Sequence, residues 1–96
     1  MTRFEWDPAK AVANLRKHGL SFETAIRVFA DPAALFDQDR IVDGEHRWQA
    51  IGFADGFPIL IVAYAIREHD ETDSIRIISA RRANRSERKR YEEANG

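Results

Sequence analysis

Phe22, Ala25, Ile26 and Phe29 recur at i, i+3, i+4 and i+7, the single apolar stripe of a helix packed on a core. Ser21 stands where it caps the start of that helix, and Asp31-Pro32 stops it. A first helix begins earlier. Asp7 is placed to cap free backbone N–H groups, Pro8 suits the first helical position, and Gly19 follows His18 where a left-handed residue ends a helix. Before it, Arg3-Phe-Glu-Trp6 reads as either a short strand or a packed arm. After Pro32 the spacing changes. Leu35 to Ile41 reads as a strand, Glu45 to Ala54 partly alternates polar with apolar, and Pro58 to Ile66 is a near-continuous apolar run suited to a central strand. The Asp55-Gly56 pair between the last two predicts a tight hairpin. Glu68 to Asp73 is an acidic connection, and Ser74 to Ala80 is a further strand. Asn84-x-x-Glu87 resembles a capping box that opens a final helix through about Ala94. The predicted order is (β)ααββββα: an α+β architecture with an antiparallel four-stranded sheet, two N-terminal helices and a C-terminal helix.

Composition adds limits. The 96 residues suit a single domain, and 44% apolar with 32% charged residues is ordinary for a globular chain. With no cysteine, disulfides, thiolate metal sites and cysteine nucleophiles are excluded. The opening MTRFEWDPAK has no apolar core of a signal peptide, and the longest apolar segment, Ile51 to Ile66, is broken by Asp55, Gly56 and Pro58. A cytoplasmic protein without a membrane partner is expected. The net charge of −1 conceals an asymmetry: residues 1–75 carry 8 basic and 13 acidic groups, residues 76–96 carry 7 basic and 3 acidic. A polyanion responds to local potential, so the basic ending is the first candidate surface.

In strict alternation along Ile75-Arg-Ile-Ile-Ser-Ala80, Arg76, Ile78 and Ala80 share one side, and Ile77 and Ser79 the other. An arginine so flanked by apolar residues must reach a cleft or find a partner. On the final helix, Asn84, Arg88 and Tyr91 lie on one face, with Arg81 and Arg85 similarly spaced. Guanidinium forks grip phosphate oxygens and a tyrosine ring stacks on an unpaired base, so this set suits RNA; a merely solvated helix is the competing account for Arg85, Lys89 and Arg90. A second constellation is Gly44-Glu-His-Arg-Trp48, with Glu45 and Arg47 on one strand face and His46 and Trp48 on the other. Cleavage through the ribose 2′-hydroxyl needs a base and positive charge on the phosphorane. Glu45 or His46 fits the base, with Arg47 and Arg76 as charge stabilisers. The competing account makes Glu45–Arg47 an ion pair and Trp48 core. Asp37-Gln-Asp39 has a spacing used for hard cations, though an exposed edge strand explains it as well. His18 reads as a cation at a helix C-terminus, and His69 as solvated.

Phe4-Glu-Trp-Asp-Pro-x-Lys10, Asn14-Leu-x-Lys-His-Gly-x-Ser-Phe22, Gly44-Glu-x-Arg-Trp48 and Ile75-Arg-Ile-Ile-Ser-Ala-Arg-Arg-Ala83, followed by Arg88 and Tyr91, resemble the BrnT toxins of type II toxin–antitoxin pairs. The similarity extends over nearly the whole chain. It implies a RelE-like fold, a ribonuclease that blocks translation without metal or other cofactor, and RNA as substrate. It also implies a BrnA-like ribbon-helix-helix antitoxin, with two toxins on an antitoxin dimer and operator DNA contacted only through the antitoxin. The residues placed on the family's site are Glu45, His46, Arg47, Arg76 and Tyr91 for catalysis, and Arg81, Arg82, Arg85 and Arg88 for RNA binding. The rival function is a non-catalytic module that binds protein or nucleic acid through its basic ending.

Overall fold

The computed structural model describes residues 2–69 and 72–96. Strand β1 (Arg3–Glu5) leads into helix α1 (Pro8–His18), then α2 (Phe22–Ala25), which tightens into a 3-10 turn (Ile26–Ala30). Strands β2 (Leu35–Val42), β3 (Glu45–Gly52), β4 (Leu60–His69) and β5 (Thr72–Arg82) follow, and α3 (Arg85–Asn95) closes the chain. The helix ends carry the chemistry their sequences promise. Asp7 accepts from the Ala9 N–H at 2.8 Å, Gly19 takes φ 70°, and Ser21 accepts from the Thr24 N–H at 3.1 Å. Asn84 and Glu87 close both halves of a capping box on α3.

The sheet has five strands in the order β1-β5-β4-β3-β2, not the four expected from periodicity. β2 to β5 form the antiparallel meander, whereas β1 adds to β5 in parallel, with Glu5 opposite Arg76. Three residues are too few for a periodic signal, and their partner strand lies at the far end of the chain. The hairpin expectation also shifts. Asp43 (φ 51°) and Gly44 (φ 77°) both adopt the left-handed conformation between the paired residues Val42 and Glu45, so the two-residue turn joins β2 to β3. At Asp55-Gly56 only the glycine has positive φ, within a longer loop. The second predicted helix is likewise shorter in α form than its stripe suggests, since β-branched Ile26 and Val28 fall in the 3-10 turn.

Both faces of the sheet are used. On one, Leu20, Phe22, Ala25 and Val28 pack on Ala50, Leu60, Val62, Tyr64, Ile77 and Ala80, all buried. On the other, α3 lays Tyr91 against a smaller cluster of Ile51, Ile61 and Ala83. Buried Asn14 of α1 ties the helical layer to the sheet. It donates to the carbonyls of Leu20 (3.1 Å) and Ala80 (2.9 Å) and accepts from the Ala80 N–H (3.0 Å), so it pairs an edge of β5 that β1 is too short to reach.

The alternation expected for β5 fails at one point. Tyr64 pairs with Ile77 and Ala63 with Ser79, leaving Ile78 as the extra residue of a bulge. Ile77 and Ala80 therefore both join the helix-side core. Arg76 pairs with Ala65 and Arg81 with Ile61, and Ala65 and Ile61 share one face of β4. The bulge thus brings Arg76 and Arg81 to the same side of the sheet, which odd–even counting would forbid.

Candidate functional site

A row of paired residues crosses the helix-free part of the sheet: Glu5 on β1, Arg76 on β5, Ala65 on β4 and Arg47 on β3. Cross-strand partners project to one side, and Phe4, whose ring packs 5.2 Å from that of Phe29 in the helix-side core, confirms by alternation that Glu5 faces away from the helices. Buried Ala65 and Ser74 form a low floor, and long charged side chains wall it. Glu45 accepts from the Arg76 guanidinium, and Arg47 Nε lies 3.4 Å from the same carboxylate oxygen. Arg67, one row along, approaches Glu5 at 3.8 Å. Three guanidiniums thus face two carboxylates, an excess of positive charge over a shallow depression.

Hydrogen bonding in this depression is incomplete. Among the described residues, the buried side-chain nitrogen and oxygen atoms with no hydrogen-bond partner are Arg47 Nε, Arg76 Nε and Glu5 Oε1, and all three lie here. Buried polar groups are nearly always paired, since leaving one unpaired costs about 1–3 kcal/mol. The concentration of such unpaired atoms in one place marks this depression as the candidate site.

Other candidates are placed elsewhere. His46 projects to the opposite side of β3, where its Nδ1 meets the Gln38 amide at 2.8 Å, so the imidazole is separated from Arg47 and Arg76 by the sheet itself. Trp48 packs partly buried against the helix-side core. Arg81 is engaged by Glu87 in a two-pronged pair at 2.7 and 2.9 Å. That hydrogen bonding holds Arg81 above its ordinary pKa and Glu87 below its own. Arg88 donates to the Ala83 carbonyl at 3.0 Å, while Arg82 and Arg85 are exposed. Tyr91 is not with the arginine trio. Its hydroxyl donates at 2.6 Å to Asp31, which also accepts from the Phe53 N–H (2.8 Å) beside Gly52. Gly52 stands at the far end of β3 from Arg47, roughly 17 Å away at strand rise. Burial, then the hydrogen bond to and charge of Asp31, push the Tyr91 hydroxyl up to about 12. Burial alone would raise Asp31, but the bonds from Tyr91, Ala33 and Phe53 outweigh it and leave the carboxyl below its usual value. The recess beside this pair, lined by Arg27, Asp31, Pro32, Phe53 and Asp55, sets one cation against two carboxylates and is a poor seat for a polyanion.

The Asp37-x-Asp39 spacing does not survive folding. A register slip between Gln38 and Arg40 leaves Asp39 in a bulge, and Asp37 pairs with Arg90 of α3. No group of three or more His, Cys, Asp or Glu side chains poised for a metal occurs among the described residues. The side chain of His69 and residues 70 and 71 of the acidic connection lie outside the described residues. Sequence reading gave no role to Glu5, though it stands in the Phe4-Glu-Trp-Asp-Pro motif, nor to Arg67, which has no motif of its own. Only the strand register, with Glu5 beside Arg76 and Arg67 two residues from Ala65, reveals them.

Helices α1 and α2 on one face of a five-stranded mixed sheet, with α3 and an arginine-walled depression on the other, define a small α+β protein with a locally cationic surface. Residues 6–87 match the sequence model of the ribonuclease toxin BrnT of type II toxin–antitoxin systems, and the chain belongs to that family. The 1.1 Å crystal structure of the Brucella abortus ribonuclease toxin BrnT superposes with a TM-score of 0.66 at 26% identity, covering 88% of this chain and 100% of that one. A search of curated proteins gives no significant match. Membership in a type II family implies a protein antitoxin as partner. No described helix is long and apolar enough to cross a membrane.

Proposed function

We propose that this chain cleaves RNA at the depression formed by Glu5, Glu45, Arg47, Arg67 and Arg76, without a metal ion, and so blocks translation until a BrnA-like ribbon-helix-helix antitoxin covers it. The observation that carries this reading is the convergence of Arg47 and Arg76 on one side of the sheet, each with an Nε that lacks an acceptor, a set that suits the oxygens of a phosphodiester. In cleavage through the 2′-hydroxyl, negative charge grows on the phosphorane oxygens, and two guanidiniums fixed beforehand stabilise it without reorganising. Glu45 contributes by holding both forks. Of the two base candidates named from sequence, it is the one beside them; His46 has no route through the sheet. Arg81 lies on the same side at the α3 end, and exposed Arg85 and Arg88 of α3 extend the grip along the strand of RNA, whereas Arg82, paired with core Leu60, projects to the helix side and would meet RNA only at the sheet's end. The fold is read as RelE-like, and a pair of toxins on one antitoxin dimer is the expected complex.

The test is labelled RNA incubated with the purified protein in excess chelator, with and without the product of any small adjacent gene. Strand scission that persists in chelator and stops when the antitoxin is added is the expected result. Scission abolished by chelator would point to a metal nuclease, and binding without scission to a non-catalytic module.

A further inference from the structure

The unmet bonds in the depression are of two kinds. Arg47 Nε and Arg76 Nε are donors without acceptors, whereas Glu5 Oε1 is an acceptor without a donor. Their combined complement is a ligand that presents acceptor oxygens next to a hydroxyl donor. A phosphodiester with a neighbouring ribose 2′-hydroxyl has that pattern; its DNA counterpart lacks the donor. Glu45 is the weaker candidate, because one of its oxygens, Oε1, already accepts from Arg76 and lies against Arg47, which ties the carboxylate to the two guanidiniums. Glu5 Oε1 has no hydrogen bond among the described residues, and Arg67 reaches the same oxygen only as an ion pair at 3.8 Å. Glu5 sits directly beside Arg76 on the adjacent strand, about 4.8 Å between backbones. Its side chain as a whole is 42% exposed, and a turn about the last side-chain bond exchanges the buried oxygen with the other.

We infer that Glu5 receives the ribose 2′-hydroxyl of the bound RNA and is the base of the reaction, while Glu45 is a positioning residue for the two guanidiniums. This rests on the ribonuclease reading above. The 2′-oxygen bonds to phosphorus as its proton passes to Glu5, the bond from phosphorus to the 5′-oxygen breaks, and that oxygen takes a proton from water. A 2′,3′-cyclic phosphate and a free 5′-hydroxyl result, and Glu5 returns its proton to solvent. No oxidant, metal or further reactant is required.

Two measurements test the assignment. In chelator, Glu5→Gln should lower kcat by about a hundredfold or more, with KM within a few-fold of wild type, and should erase the acidic limb of the pH–rate profile. Glu45→Gln should keep that limb and raise KM. A Glu5→Gln enzyme that retains wild-type rate and limb overturns the assignment. The second measurement needs no cleavage. Ribonucleoside 3′-monophosphates, which have no 5′-linked leaving group, are titrated against their 2′-deoxy counterparts. Wild type should prefer the ribo form about tenfold, as one hydrogen bond to a charged group implies, and Glu5→Ala should bring the ratio near one. Equal affinity of wild type for both forms overturns the Glu5 contact. A clear ribo preference in a protein that cuts no RNA would support the contact and count against the ribonuclease reading.

Discussion

Arg76 illustrates how one side chain gains its meaning from its neighbours. Its guanidinium is partly buried, held by Glu45 on a strand two places away, and still retains a donor with no acceptor. Arg76→Ala is expected to reduce RNA cleavage by a hundredfold or more, on the scale of losing one preorganised donor at a developing charge. Arg76→Lys should recover only part of this, because an ammonium has no planar fork to hold Glu45 and phosphate together; full recovery in a cleavage assay would mean that charge alone suffices. Tyr91 makes the opposite case. Its family motif placed it at the site, but its bond to Asp31 makes it a fastener for α3. Since folding raises the hydroxyl from an ordinary 10.0 to about 12, its stabilisation is complete below pH 10 and is lost as pH climbs through 12. Tyr91→Phe should therefore be less stable by about 1–2 kcal/mol at neutral pH. The gap to wild type should close above pH 12, as followed by chemical denaturation; a gap independent of pH would remove the fastener role.

At the scale of elements, the helices were largely legible and the strand geometry was not. Caps are local: Asp7, Pro8, Gly19, Ser21, Asn84 and Glu87 act within a few residues of themselves, so their sequence positions suffice. Strand β1 and the bulge at Ile78 depend on partners far along the chain, and no local signal marks them. The bulge matters most, since it turns an odd–even separation of Arg76 and Arg81 into a common face. The same dependence gives Asn14 its importance. Asn14→Ala should leave the Ala80 amide and carbonyl without partners along an otherwise unpaired edge, at a cost of about 2–4 kcal/mol. For a domain of this size that corresponds to a melting temperature lower by roughly 10–25 °C. A drop of only a few degrees would show that water replaces the side chain there.

For the whole molecule, electrostatics is a matter of placement. A chain of net charge −1 still presents Arg47, Arg67, Arg76 and Arg81 along one side of its sheet, where Glu5, Glu45 and Glu87 pair with them. RNA affinity should consequently fall steeply as salt is added, with each lost arginine–phosphate contact shallowing the logarithmic slope by about 0.7 for single-stranded RNA. Arg76→Ala and Arg85→Ala measured across a salt series should differ: the first loses a contact fixed by the sheet, the second a charge on an exposed helix face. Affinity indifferent to salt would contradict a backbone grip. The antitoxin is expected to compete with RNA for this side, since a segment laid over it satisfies the same unpaired donors.

From its sequence alone this protein has its α+β class, its helix boundaries, its basic ending and its family motifs, because each is set by neighbouring residues. Folding alone decides that β1 completes the sheet, that Arg76 and Arg81 share a side, that His46 and Tyr91 stand apart from Arg47, and that Glu5 stands beside Arg76. Those relations are distances between residues far apart in the chain, and strand register is fixed by the packing of the entire sheet rather than by any short stretch of it.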